Sequence, residues 1–406
     1  MNATKGPCQL HIAFVSSKKM YYPPDTDDNK ITYISRELLK RGMKVTWLEM
    51  GKTSEKWERD GIDYVKLGAR CPRLVCELMQ LARMVSVCRA RKVDCVYSDE
   101  WLFLRENPAR RLVFPVGVRT LGIRYIVDLR DPFIDYEVAK GVLNEGSWRH
   151  RLLSLYHRLN YEFTDLAVFP SEAYAKAFRS TGLPERKRMG EIRGVDKDLF
   201  NPRVDGRAKR NELGLQDKFV VGWFGMMQSY RQIEEVVIPL IENMATSIPN
   251  IHFLIGGQGD LSHRFEGLSK DRAELAMTHL GFVPYDQLPE YLSACDVLLC
   301  TLDTRRGFAK LASPLKVLES LAVGRPIIAT RTDVQGMDYK DLKGVIWTGT
   351  GYRDFADSLI MVHRDYAHYR DLAMQQALDF DRYTLESTIS RIADAIEKVC
   401  IEKVCG

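Results

Sequence analysis

The chain has 406 residues, 45% of them hydrophobic and 28% charged, with a net charge of +5 at neutral pH. That length exceeds what one core usually fills, so two domains of roughly 200 residues each are expected, and the composition excludes a disordered, fibrous or low-complexity chain. The charge excess is too mild to point to nucleic acid. No run of about 18 apolar residues reads as a membrane span, and MNATKGPCQL has no apolar core of secretory length, so a cytoplasmic location is expected. Nine cysteines, at spacings wider than zinc knuckles, read as reduced structural thiols.

The first half repeats short runs rich in β-branched and aromatic residues: HIAFVSS, KVTWLEM, DCVYSD, RYIVDLR and DLAVFPS. After the first run, the acids of DTDDNK (25–30) read as a solvated turn or helix cap sooner than as a metal site. Ile31, Ile34, Leu38 and Leu39 then share one helical face that stops at Gly42. Arg105, Arg110, Arg111, Arg119 and Arg124 crowd the next stretch. RYIVDLRDPF sets Asp128, Arg130 and Asp131 at the C-terminal end of a strand, the side on which open parallel sheets bind ligands. Either acid can orient a sugar or acceptor hydroxyl. Salt bridging to Arg130 or Arg124, or capping of the next helix, is the plainer alternative. GSWRHRLLSLYHRLNYE (146–162) predicts an amphipathic helix whose basic, aromatic-bearing face suits either a membrane surface or packing within the domain. Strand and helix alternating in this way imply a doubly wound parallel sheet.

FNPRVDGRAKRNELGLQDK (200–218) interrupts the pattern with polar residues, Pro202 and Gly206, and sets the expected domain boundary. A second series follows: FVVGWFG, HFLIGGQG, HLGFV, DVLLCT, PIIAT and GVIWTG. In VVGWFGMMQSYRQIEE (220–235), Gly222 and Gly225 end a strand where backbone can approach a ligand, and Arg231 follows in the loop; a tight turn with a surface arginine is the alternative. IGGQGD (255–260) fails the dinucleotide fingerprint because Ser262 stands where a third glycine belongs, so Gly257 is read as shaping a base pocket or as part of a plain loop.

SPLKVLESLAVGRPIIAT (313–330) puts Ser313 at an N-cap and Pro314 at the first helical position, with Leu315 and Lys316 in the first turn. Free N–H groups, the dipole and the lysine charge would together seat a diphosphate. Glu319, on the same helix, has the paired oxygens that a ribose diol needs. An ordinary capped helix is the alternative. Near the end, Ile389, Ile392, Ile396 and Val399 mark an amphipathic helix, and the second copy of IEKVC reads as an exposed extension. No H-E-x-x-H, G-x-S-x-G or Walker pattern occurs, which leaves zinc, serine-hydrolase and P-loop chemistry without support.

Taken in order, these segments resemble the retaining glycosyltransferases of family four (glycosyl transferases group 1), over nearly the whole chain. RELLKRGMKVTWLE, FPSEAYAKAF and EIRGVDKDLFNP carry part of the likeness; GFVPYDQLPEYLSACDVLLCT and SPLKVLESLAVGRPIIAT are the most specific. The resemblance implies an α/β GT-B fold, two Rossmann-like doubly wound domains facing a cleft. An acceptor domain would span 1–203, a nucleotide-sugar domain 204–384, and a helix and tail, 385–406, would cross back to the first domain. Arg231 would match the family's diphosphate-binding lysine, and Lys316 would lie in its phosphate-binding stretch with Ser313, Pro314 and Leu315. Gly225, Gly257 and Val283 would line the nucleotide. Glu319 corresponds to the second acid of E-x7-E. Leu311 stands at the first, so this is an S-P-x-K form whose sugar contacts must come from elsewhere: Asp303, Lys310 or the backbone before Ser313. Met226 stands where an arginine is common, Arg193 where an asparagine is, and Asp131 near the place of a histidine.

The implied activity is transfer of a sugar from a nucleotide-diphosphate sugar to an acceptor hydroxyl, with retention and with no metal or other cofactor. Arg231 and Lys316 would stabilise the leaving diphosphate, with Asp131 as a further catalytic candidate. Expected partners are the nucleotide sugar and a glycan, lipid-linked or small-molecule acceptor, with peripheral contact at the inner face of the membrane and no nucleic acid. Two alternatives remain open: a nucleotide-sugar epimerase or hydrolase on the same fold, and a noncatalytic nucleotide-sugar-binding partner, the latter favoured by Met226 and the missing first acid.

Overall fold

The computed structural model describes residues 9–15, 30–51, 53–68, 73–99, 110–129, 134, 137–138, 141–177, 183–192, 194–272, 274–310 and 312–401. Two compact units result: one combines Met1–Ile192 with Thr388–Gly406, the other is Arg193–Ser387. The chain thus changes unit before the polar stretch at 200–218. That stretch belongs to the second unit because its backbone is used there. Val195 bridges Thr384, and the buried Phe200 ring meets Tyr285 at 5.2 Å. Gly206 packs so closely that a β carbon would fall 2.2 Å from the Ala294 nitrogen.

Among the described residues the first unit holds eight strands: β1 (His11–Val15), β2 (Lys44–Gly51), β3 (Glu55–Arg59), β4 (Ile62–Gly68), β5 (Cys95–Asp99), β6 (Arg124–Asp128), β7 (Leu166–Phe169) and β8 (Arg188–Gly190). Their order is β3-β4-β2-β1-β5-β6-β7-β8, and among the described strands only β3 pairs antiparallel. β1 is buried throughout, as a strand covered on both faces must be. β3, EKWER, is exposed along its whole length and is charged, which suits an edge; Trp57 stacks on Tyr64 at 5.2 Å. Helices α1 (Lys30–Lys40), α2 (Arg73–Ala90), α3 (Arg110–Thr120) and α4 (Trp148–Glu162) belong to this unit.

Six parallel strands build the second unit: β9 (Phe219–Phe224), β10 (Ile251–Gly256), β11 (Met277–Gly281), β12 (Val297–Cys300), β13 (Ile327–Thr330) and β14 (Val345–Thr348). They are ordered β11-β10-β9-β12-β13-β14, so the direction of winding reverses between β9 and β12. Those two strands pair only at Val221/Val297 and Gly222/Leu298, then part. A crevice opens at such a switch point, beyond the strands' C-terminal ends. Trp223, Phe253, Phe265 and Phe355 fill the core, each ring contributing about 2–3 kcal/mol of burial. The unit also contains α5 (Arg207–Glu212), α6 (Leu288–Ala294), α7 (Lys316–Ala322), α8 (Tyr352–Arg364) and α9 (Tyr366–Leu378).

The last helix, α10 (Leu385–Ile401), joins the first unit from Thr388 onward. Its apolar face buries Ile389, Ile392 and Ile396, as the periodicity requires. Arg391 grips Glu191 at 2.5 Å, and Arg41 reaches Asp394 at 2.6 Å. The second IEKVC copy lies largely outside the described residues.

Candidate functional site

The residues after β9 are fixed to those after β12 by a relay across the switch point. The Trp223 indole N–H donates to the Thr301 hydroxyl at 3.0 Å, and that hydroxyl donates to the Arg231 carbonyl. The Asp303 N–H donates to the Tyr230 carbonyl at 2.9 Å, and Arg306 to the Ser229 hydroxyl at 3.0 Å. Gln232 follows in the left-handed region, φ 53° and ψ 39°, with its amide donating to the Thr350 carbonyl at 2.7 Å; one π-helical turn, Ile233–Val237, comes next. Backbone in such conformations persists where its surroundings overdetermine it, and it gathers at functional sites.

This relay holds Arg231 with its Nε and Nη1 buried and without a hydrogen-bond partner. Each buried donor left unmade costs about 1–3 kcal/mol, so an anion placed there would remove a standing penalty. The partly buried Lys316 lies beside it. Its Nζ donates to the Phe224 carbonyl at 2.6 Å and sits 4.8 Å from the Trp223 ring centroid. Burial and then the charge of Arg231 pull its pKa down from 10.5 to about 8. At neutral pH the site therefore presents two adjacent cations.

The glycines are steric requirements. Gly225 has φ 152°, and a β carbon there would fall 2.7 Å from Lys316 Nζ; one at Gly257, φ 135°, would fall 1.9 Å from the Gly225 carbonyl oxygen. The two loops close at backbone distance. Val283 lies at the same strand ends, its Cγ2 3.1 Å from a β carbon built on Gly256.

α7 begins at Lys316, so Pro314 is not its first residue and Ser313 is not its cap. The Ser313 hydroxyl instead donates to the Tyr339 hydroxyl at 2.9 Å. Tyr339 is 1% exposed, and a phenol so deep needs a partner; burial also pushes its pKa up. Ser313, Pro314 and Leu315 form the approach to the helix. With 7 residues α7 supplies little dipole, so the charge available to an anion comes from side chains.

Glu319, 7% exposed, lies three residues beyond Lys316 on the same helical face. It accepts from the Tyr285 hydroxyl at 3.2 Å. Gly225, Arg231, Gly257, Val283, Lys316 and Glu319 thus belong to one set of strand ends. Tyr285, Trp223 and Thr301 were not singled out by the sequence reading; an indole inside an apolar strand, whose N–H must find an acceptor, was the available signal. Asp303 pairs with Arg305 at 2.7 Å and Arg306 at 3.5 Å, and its hydrogen bond with Arg305 holds its carboxyl below the ordinary range. Lys310 is exposed.

In the first unit, Asp128 is 1% exposed, bound by Lys30 at 3.0 Å and by the Tyr97 hydroxyl at 2.9 Å. Its partner is Lys30, not Arg124, which joins Arg119 in holding Asp165. Asp131, Arg130, Arg193, Leu311 and residues 25–29 lie outside the described residues. α4 buries His157, Asn160 and Tyr161 and turns Trp148, Arg151, Leu155 and Arg158 outward. No helix among the described residues is long and apolar enough to cross a membrane.

Residues 218–365 match the family model of the glycosyl transferases group 1. Over 245 residues the chain is 26% identical to a probable glycosyltransferase, WbjE of Pseudomonas aeruginosa, covering 59% of this chain and 58% of that one. Over 173 residues it is 26% identical to a GDP-mannose-dependent alpha-(1-6)-phosphatidylinositol monomannoside mannosyltransferase of Mycolicibacterium smegmatis, covering 41% and 44%. The chain thus spans about half the length of these curated relatives. Anabaena HepE, solved in complex with UDP, aligns with a TM-score of 0.68 at 16% identity, over 96% of this chain and 100% of that one. That likeness is one of fold: two parallel-sheet, Rossmann-like units of the GT-B type.

Proposed function

We propose, from the premise that residues 218–365 form a glycosyl transferases group 1 domain, that this protein transfers a sugar from a nucleotide-diphosphate sugar to an acceptor hydroxyl, with retention and without a metal ion. The observation that carries the reading is the pair Arg231 and Lys316 at the switch point, one with two unmade buried donors and the other with a depressed pKa. The diphosphate would sit between them above Gly225 and Gly257. Glu319, oriented by Tyr285, would take the ribose hydroxyls.

As the bond from the anomeric carbon to the phosphate oxygen breaks, negative charge grows on the leaving diphosphate, where both cations are already in place. The acceptor oxygen forms its bond on the same face, and its proton passes to the leaving phosphate. Retention is supported by the family resemblance. HepE is titled as a complex with UDP and the mycobacterial relative is named as GDP-mannose-dependent, so uridine and guanosine donors are the first to try. For the acceptor we favour a lipid-linked one. The outward stripe of Trp148, Arg151, Leu155 and Arg158 on α4 supports it, since it combines apolar and basic groups as membrane-surface helices do.

The test is incubation of the full chain with UDP-, GDP- and ADP-sugars, with and without lipid-linked acceptors in anionic vesicles. Acceptor-dependent release of nucleoside diphosphate, with a glycoside of the donor's anomeric configuration, is expected. Turnover of a nucleotide sugar with no glycoside formed would replace the reading with an epimerase or hydrolase, and an inverted product would overturn retention.

A further inference from the structure

The opposite end of the second unit's sheet is also concave. A cavity of about 730 Å³ opens at the N-terminal ends of the strands, bounded in part by Ser293, Asp296, Val323 and Arg325. β9, 6 residues long, separates this end from the glycine loops, which at ~3.3 Å per residue is roughly 15–20 Å. The volume is that of a small-molecule pocket, for which about 300–1,000 Å³ is usual.

Five arginines line the cavity: Arg203, Arg207, Arg210, Arg325 and Arg370. Its two acids are already engaged. Asp205 holds Arg207 at 2.7 Å, while Asp296 takes Arg210 at 2.6 Å and the Val220 N–H at 2.7 Å. No described carboxylate lies within ion-pair distance of Arg203, Arg325 or Arg370.

Arg325 is anchored by Nε and Nη2 to the Ser293 carbonyl, at 3.1 and 2.5 Å, yet its Nη1 is buried and has no partner. The hydroxyl of Ser293, itself a lining residue, is also buried and unpartnered. Arg370 donates to the Tyr366 hydroxyl at 3.3 Å, and its charge adds to burial in lowering the pKa of Arg325. Like charges gathered around unmade donors disfavour a closed fold and favour an anion, above all a multiply charged one whose oxygens match the guanidinium fork.

We propose that this cavity binds a phosphate-bearing anion through Arg203, Arg325 and Arg370, with the Ser293 hydroxyl completing the contact, as a site separate from the one at the switch point. The phosphate can belong to a soluble metabolite or to a lipid headgroup, and two probes separate these sources. Inorganic pyrophosphate is titrated calorimetrically into the full chain carrying R231A/K316A, which removes the switch-point cations, and into the same chain with R203A/R370Q added. Sedimentation with phosphatidic acid vesicles is measured on both.

Arg325 is left intact because it ties α6 to the start of β13, and an unchanged melting temperature establishes that the variants fold. Pyrophosphate binding that weakens at least about tenfold with R203A/R370Q supports a soluble ligand. A comparable weakening seen only with vesicles supports a headgroup. If neither probe depends on Arg203 and Arg370, the proposal is overturned.

Discussion

Burial, and then the charge of Arg231 beside it, disfavours the Lys316 ammonium even though a carbonyl and an indole face accept it. The unfolded lysine ionises near 10.5 and the folded one near 8. Below about pH 8 both states carry the proton and the ligand-free fold bears the whole penalty. Between the two values the unfolded state binds more protons, so this contribution to stability improves as pH rises. A bound diphosphate reverses the preference, because it gains from the charged lysine. Affinity for UDP or GDP should therefore be full at about pH 7 and fall toward about pH 9.5, and the fall should vanish in Lys316→Met. A wild-type affinity that stays flat over that range, measured by calorimetry, would remove the lysine from the site. Arg231, Lys316 and Glu319 stood out because they are charged residues next to glycine turns and apolar strands, and the structure gathers them at one set of strand ends. Ser313 was misread because its partner, Tyr339, lies 26 positions away. Asp128 had the same difficulty, with Lys30 98 positions distant. Local pattern cannot see such pairings.

Most strands of both sheets could be read from their apolar runs, since strands buried on two faces are nearly continuous in hydrophobicity. β3 and β4 escaped. EKWER has no apolar face to alternate, and its pairing with β4 supplies the order that its own composition does not. The start of α7 was set two residues early, because a proline and a serine in the favoured positions imitate a cap whose hydroxyl is in fact used elsewhere. The element most consequential for the site is the relay joining β9, the Arg231 turn and β12. Thr301→Val would orphan the buried Trp223 indole N–H and release the Arg231 carbonyl, for a loss of about 1–3 kcal/mol read from the urea midpoint. Nucleotide affinity should fall with it, and Thr301→Ser should restore both. Full stability in Thr301→Val would mean that the relay does not hold the turn.

On the scale of the whole molecule, the division into two α/β units follows from length and from the repeated alternation of strand and helix. The place of the division does not. Polar composition at 200–218 suggested the boundary, but the chain has already joined the second unit by Val195, which bridges Thr384, and Phe200 and Gly206 then pack closely in that unit, contacts that hydropathy does not record. The return of α10 to the first unit was expected from the family resemblance, and the buried stripe of Ile389, Ile392 and Ile396, with Arg391 on Glu191, gives it a physical basis. We propose that the switch point of the second unit is a nucleoside diphosphate site built on two side chains. Calorimetric titration of UDP and GDP into the wild-type protein and into R231A/K316A tests it most directly. At least one nucleotide should bind the wild type and bind the double variant about 100-fold more weakly or worse, while the variant's melting temperature is unchanged or higher. Equal affinity in the two proteins, or no binding of either nucleotide to the wild type, would mean that Arg231 and Lys316 do not form such a site.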